Sequence, residues 1–232
     1  MREYVQPTIS WFGLQIEEPI TALTDVLIAV VSFIAYYRIK KMPERSKVKL
    51  LLMNYFLTMG MATFLGGVLG HALQYYLGFV WKTPAWVISM ISVTLLERAQ
   101  IEYVKNEISK QLGAFFGWLN VIELMVFMFV SFALLNFFFV QVHAAYGLAV
   151  VVLSFSVFKF VRAKSIGSLY FIFGVIMAII AATFYMMKWG VGPWFNHIDI
   201  SNVVMAVGMW IFYLGSVKII KDVGNDEKKE YS

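Results

Sequence analysis

Lysine and arginine fall in alternate gaps between apolar runs, and that distribution constrains the fold more than any motif does. Sixteen of the nineteen basic residues obey it. Seven runs are legible: Thr21 to Tyr37, Leu50 to Gly70, Pro84 to Leu96, Leu112 to Phe132, Ala144 to Phe158, Ile166 to Met187 and Ile200 to Val217. Several reach the roughly 20 residues that carry a helix across hydrocarbon. Only helices and closed barrels satisfy every backbone polar group there, and uninterrupted apolar stretches such as Leu124 to Leu135 lack the alternation of barrel strands. One set of gaps holds Arg38, Lys40, Lys41, Arg45, Lys47 and Lys49, then Arg98, Lys105 and Lys110, then Lys159, Arg162 and Lys164, and finally Lys218, Lys221, Lys228 and Lys229. The opposite set holds Arg2, Lys82 and Lys188. The positive-inside rule then predicts an all-α, polytopic seven-helix bundle with the N-terminus outside and the C-terminus in the cytoplasm.

Composition agrees. With 60% hydrophobic and 14% charged residues, the chain has too little polar surface for a soluble globule. The net charge of +5 is then topological, and the basic gaps are expected to meet membrane lipids rather than nucleic acid. The absence of cysteine excludes disulfides, thiolate nucleophiles and thiolate metal sites. Met1 to Glu18 lacks the pattern of a cleavable signal peptide, so the first span is expected to direct insertion. The chain divides into a short outer segment (1–20), a transmembrane domain (21–220) and a charged cytoplasmic tail (221–232) that is expected to fray from Asp222. Thr8 to Ile16 reads as an interfacial stretch. Glu18-Pro19 and Thr83-Pro84 read as capping residues before a first-turn proline. Trp81, Trp86, Trp189 and Trp194 read as an aromatic belt at outer helix ends.

This topology predicts that His71, His143 and His197 all lie on the outer side. Glu17, Glu18, Thr21, Thr24, Asp25, Asn196, Asp199, Ser201 and Asn202 join them there. Two readings stand side by side. Imidazoles bind a metal with carboxylates in support, and a zinc ion so held brings its bound water to a pKa of about 7 for hydrolysis. Alternatively, these are ordinary helix-end groups, with Asp199 capping the seventh helix and Asn202 bonding a neighbour. Glu123 lies near mid-depth with Asn120 one turn before it, and reads either as part of a proton or ion relay or as a neutral acid gluing helices. A retinal protein is excluded by the middle of the seventh helix, Val204 to Trp210, which has no lysine.

His71 at the end of the second helix, His197 at the start of the seventh and the opening Glu18-Pro19-Ile20-Thr21-Ala22-Leu23-Thr24-Asp25 together resemble the CREST superfamily. That group includes alkaline ceramidases and the adiponectin and progestin receptors. The opening and Phe195-Asn196-His197-Ile198-Asp199 also resemble a little-characterised bacterial branch. The resemblance implies a seven-helix fold, a zinc site built from three histidines, and a Ser and an Asp holding the attacking water. The chain departs from this pattern. Gly67 stands four residues before His71 where the Ser is expected, no Asp follows in the third helix, and Ser201 stands four residues after His197, with Asn202 next to it.

The leading expectation is therefore a zinc-dependent hydrolase of a lipid amide or ester. Its metal ligands are His71, His197 and Asp199, and its catalytic carboxylates are Glu18 and Asp25. A lipid-like substrate would enter from the outer leaflet. The alternative is a non-catalytic receptor or sensor, or a proton- or ion-conducting protein using Glu123. The compact bundle suggests a bacterial inner membrane.

Overall fold

Hydrocarbon offers the backbone no partner but itself, and the chain meets that constraint with helices. The computed structural model describes the backbone of residues 6–230 and the side chains of residues 6–225. Seven helices are long and apolar enough to span a membrane. They are α1 (Pro19–Lys40), α2 (Lys47–Ala72), α3 (Thr83–Val104), α4 (Lys110–Leu134), α5 (Phe138–Ala163), α6 (Ile166–Met186) and α7 (His197–Glu230). Because α2 runs from Lys47 toward His71, those two residues name the ends of the bundle used below.

Three helices start as capping chemistry requires. Ser46, Ser109 and Ser165 accept from the backbone N–H groups of Lys49, Leu112 and Ser168 at 3.1, 3.2 and 3.2 Å. The two caps expected before prolines do not form. Glu18 sits in the left-handed region with φ of 43° and its carboxylate turns away from the helix. The Thr83 hydroxyl donates to the Val80 carbonyl at 2.7 Å instead. Within two spans the helix widens to the π form, over Gly66–Ala72 in α2 and Gly147–Val152 in α5.

The apolar N-terminal stretch is a hairpin, β1 (Ile9–Trp11) against β2 (Leu14–Ile16), with Ser10 opposite Gln15. Phe12 and Gly13 both have positive φ, the signature of a two-residue primed turn. Trp11, Phe12 and Leu14 are exposed at its tip. The hairpin is pinned to the bundle, since Glu17 N–H donates to the Ala72 carbonyl at 3.2 Å and Gln15 N–H to the Tyr76 hydroxyl at 3.0 Å.

The main core joins α1, α2, α3, α5, α6 and α7 through residues such as Ile39, Phe56, Leu96, Val152, Phe171 and Phe212. The helices α6 and α7 meet through glycine. A methyl group on Gly215 would stand 2.7 Å from Phe171 Cδ2 and 3.0 Å from the Gly167 carbonyl. By contrast, α4 is peripheral. Phe115, Trp118, Ile122, Met125 and Phe129 are exposed, while Gly117, Asn120, Glu123 and Ser131 face inward.

Three sequence expectations change. Trp86 is buried against Met90 and Val140, whereas Trp81, Trp189 and Trp194 are exposed as a belt requires. The third span continues past Leu96 to Val104, which draws Glu97 into the bundle. The segment beyond Asp222 continues α7 as helix through Glu230, and Gly224 packs so closely on Glu44 that a Cβ would lie 2.8 Å from its Cγ.

The Gly167–Gly215 contact is testable. Gly215→Ala is expected to lower stability by about 1–3 kcal/mol, because the helices must separate to admit the methyl group. Thermal unfolding in detergent, beside the lipid-facing change Ile122→Val, measures it.

Candidate functional site

The N-terminal turn of α7 is a reciprocal capping box. Asn196 N–H donates to Asp199 Oδ2 at 2.7 Å, while Asn196 Oδ1 accepts from Ile198 N–H at 2.8 Å and Asp199 N–H at 3.4 Å. Asp199 also accepts from the Thr21 hydroxyl at 2.7 Å and from Gln6 Nε2 at 2.6 Å. Gln6 in turn offers Oε1 to the N–H groups of Ile20 and Thr21 at 3.1 and 3.3 Å, two of the open donors at the start of α1. Asp199 and Gln6 thus fasten the starts of α1 and α7 together. The expected ligand role of Asp199 gives way to this one, since its fully buried carboxylate already serves three donors.

One turn along α1 the geometry differs. His71, in the π segment of α2, hydrogen-bonds through Nδ1 to Glu18 Oε2. Its Nε2 faces Asp25 Oδ2 at 3.6 Å. Asn202 donates to Asp25 Oδ1 at 2.8 Å and to the Thr24 hydroxyl at 3.1 Å. A carboxylate–imidazole–carboxylate line therefore runs from the loop before α1, through α2, back to α1, and is steadied from α7. His71 Nε2 and Asp25 Oδ2, at 3.6 Å, stand beyond hydrogen-bond length, and the gap between them has room for a cation.

A serine at position 67, as the resemblance leads one to expect, would not fit. A Cβ on Gly67 would lie 2.9 Å from both the Ala22 carbonyl oxygen and Asp25 Cβ, so α1 packs where a serine side chain would stand. Asp25 fills the space that Gly67 leaves.

His197 begins α7, is buried and lies beside Tyr185, with ring centroids 5.7 Å apart. Ser201 and Asn202 are half-buried one turn further on. His71, His197 and Asp199 do not converge. Among the described residues, the His, Asp or Glu side chains whose ligand atoms all lie within 4.8 Å of one another are instead Glu97, Glu123 and His143.

That group corrects two placements. His143 is not at an outer helix end but fully buried inside α5, with Nε2 3.4 Å from the Thr94 hydroxyl and 3.8 Å from Glu123 Oε1. Glu97, missed in the sequence, faces it from α3, where Asn120 Nδ2 donates to its Oε2 at 3.2 Å. The signal was present as Thr94, Glu97 and Gln100, polar at intervals of three in an apolar helix. An open cleft of about 730 Å³ lies at the other end of the bundle beside Lys47, Glu102 and Lys105, away from His71.

Residues 20–221 match the model of a family of unknown function, DUF6962. No curated protein and no solved structure matches the chain.

Glu18 lies outside the spans, and the hydrogen bond from His71 holds its carboxyl below the ordinary glutamate range against the opposing effect of burial. A depressed carboxyl contributes stability that is present above its unfolded value and lost as the pH falls through its folded value. Thermal stability is therefore expected to decline on acidification below about pH 4.3. Glu18→Gln is expected to remove this part of the slope and to be the less stable protein at neutral pH, as melting curves across pH will read.

Proposed function

The chain belongs to the DUF6962 family, and we propose that this member is a membrane-embedded, metal-assisted hydrolase of a lipid-borne amide or ester, working at the His71 end of the bundle. The reading rests above all on the Glu18–His71–Asp25 line, in which an imidazole fixed on one nitrogen faces a carboxylate with the other. His71 Nε2 and Asp25 Oδ2 are the groups that would hold the ion, and Glu18 orients the imidazole, the usual division between a ligand and the carboxylate behind it. When bound, zinc would supply a water acidic enough to be deprotonated near neutral pH.

The chain's own residues have defined tasks in this reading. Asn202 fixes the rotamer of Asp25, so that Oδ1 is occupied and Oδ2 is presented to the site. The attacking water gives up a proton as its oxygen bonds to the carbonyl carbon. The proton passes to the departing amine or alcohol when the acyl bond breaks, leaving a fatty acid and a free amine or alcohol. The exposed aromatic hairpin beside this end, and apolar helix faces such as that of α4, suit a substrate arriving sideways through lipid. The basic residues concentrated toward the Lys47 end support an orientation with the His71 end facing outward.

A second reading has its own observation. Asn202, beside the position where the resemblance calls for a third histidine, already bonds Asp25 and Thr24. Such a latch suits a receptor or sensor that keeps the bundle without catalysis.

Metal content and turnover separate the two. Hydrolysis of a fluorescent N-acyl lipid by zinc-loaded protein in detergent is expected to fall by at least about 100-fold in His71→Ala and in Asp25→Asn. Each change is also expected to remove about one zinc per chain. Zinc-loaded protein without any turnover would leave the latch reading, and turnover that survives both changes would take the chemistry away from His71 and Asp25.

A further inference from the structure

The bundle interior holds a second arrangement that the hydrolase reading does not use. Glu97 on α3, Glu123 on α4 and His143 on α5 approach one another in the part of the bundle that α4 closes against lipid. Their side chains are buried, with relative exposures of 0%, 7% and 0%, and Asn120 beside them is at 3%. Two carboxylates at such depth are costly unless their charge is cancelled locally. Among the described residues, neither forms an ion pair with Lys or Arg. The partner within reach is an imidazole.

Hydrogen bonding leaves the group incomplete. Glu97 Oε1, both Glu123 oxygens, His143 Nδ1 and Asn120 Oδ1 are buried with no hydrogen-bond partner. Five such atoms on four neighbouring side chains are unusual, because native interiors pair nearly all their buried polar groups. A proton shared between Glu97 and Glu123 would lower that charge without joining the imidazole to them, since Glu123 Oε1 stands 3.8 Å from His143 Nε2, beyond hydrogen-bond length. Ligand atoms around a tetrahedral ion with bonds of about 2.0–2.1 Å lie roughly 3.3–3.5 Å apart, so a slight contraction of this group would seat one. Two ionised carboxylates and one divalent cation also sum to zero charge.

The backbone is shaped to the same group. Gly147 opens the π segment of α5 one turn after His143, and a Cβ there would collide with Glu97 Oε1 and lie 2.7 Å from Val93 Cγ1. Only glycine lets α5 come this close to the carboxylate. The oxygens of two carboxylates and one amide, with a single imidazole, make a donor set of borderline hardness suited to zinc or its neighbours in the first transition row.

We propose that Glu97, Glu123 and His143 bind one divalent transition-metal ion inside the bundle, with Asn120 Oδ1 as candidate fourth donor. The ion ties the peripheral helix α4 to α3 and α5. This site is independent of the His71 end.

Cobalt(II) is the probe, because four-coordinate cobalt absorbs visibly and six-coordinate cobalt in water hardly does. Full-length protein in detergent is titrated with Co²⁺ and compared with Glu123→Gln, His143→Gln and His71→Ala. The wild type and His71→Ala are expected to develop the four-coordinate band. Glu123→Gln and His143→Gln should bind at least about 10–100-fold more weakly, with helical circular dichroism preserved. Gly147→Ala, which displaces Glu97 without removing a donor, is expected to weaken the band while leaving zinc at His71 unchanged. A wild type without the band, or a band lost in His71→Ala but kept in Glu123→Gln and His143→Gln, would overturn the proposal.

Discussion

Every polar group that enters hydrocarbon must find its partner inside the protein, and the rest of this structure depends on how that requirement is met. Most hydroxyls meet it locally. Ser32, Thr58, Thr63 and Ser216 each donate to the carbonyl four residues earlier, at 2.8–3.0 Å, and so add little to tertiary structure. Carboxylates, imidazoles and amides cannot be quieted that way and must be met from another helix. The result is two polar centres, one binding α1, α2 and α7 around His71 and Asp199, the other joining α3, α4 and α5 around Glu97.

The two centres share a backbone device. Each has a π-helical segment at its edge, Gly66–Ala72 carrying His71 and Gly147–Val152 opening beside Glu97. A π turn inserts a residue into the helical ladder, re-aims the side chains that follow and loosens local hydrogen bonding, which is why such turns gather at functional sites. Glycine occurs in both for steric reasons, since Gly67 admits Asp25 and Gly147 admits Glu97. The glycine that displaces the expected serine is thus part of the packing that brings Asp25 to His71.

The seven spans were legible because hydropathy reports directly on the bilayer. The starts of α1 and α7 were partly legible too: Asp199 as a cap and Asn202 as a bond to a neighbouring helix were both among the readings of the sequence, and Glu18 and Asp25 were marked as carboxylates of one site with His71. The Glu97 centre was hidden. Glu97-Arg98 reads as the polar end of an apolar run, but the helix continues with Ala99, Gln100 and Ile101 all buried. His143 was counted outside because the apolar run was started at Ala144, although α5 begins at Phe138. Convergence of residues 97, 123 and 143 depends on the rotation of three helices about their axes, and one sequence does not encode that in any local pattern.

The last helix is 34 residues long, about 51 Å at 1.5 Å per residue, against roughly 30 Å of hydrocarbon. Asn196 and Asp199 anchor its first turn beside α1, so the surplus of about 20 Å emerges at the Lys47 end. The rod is continuous there, and Gly224 rests against Glu44 in the connection after α1. A pull on the emergent stretch therefore meets no joint at the membrane surface. It tilts the whole rod, and Asn202, which grips Asp25 on the far side of the bilayer, moves with it.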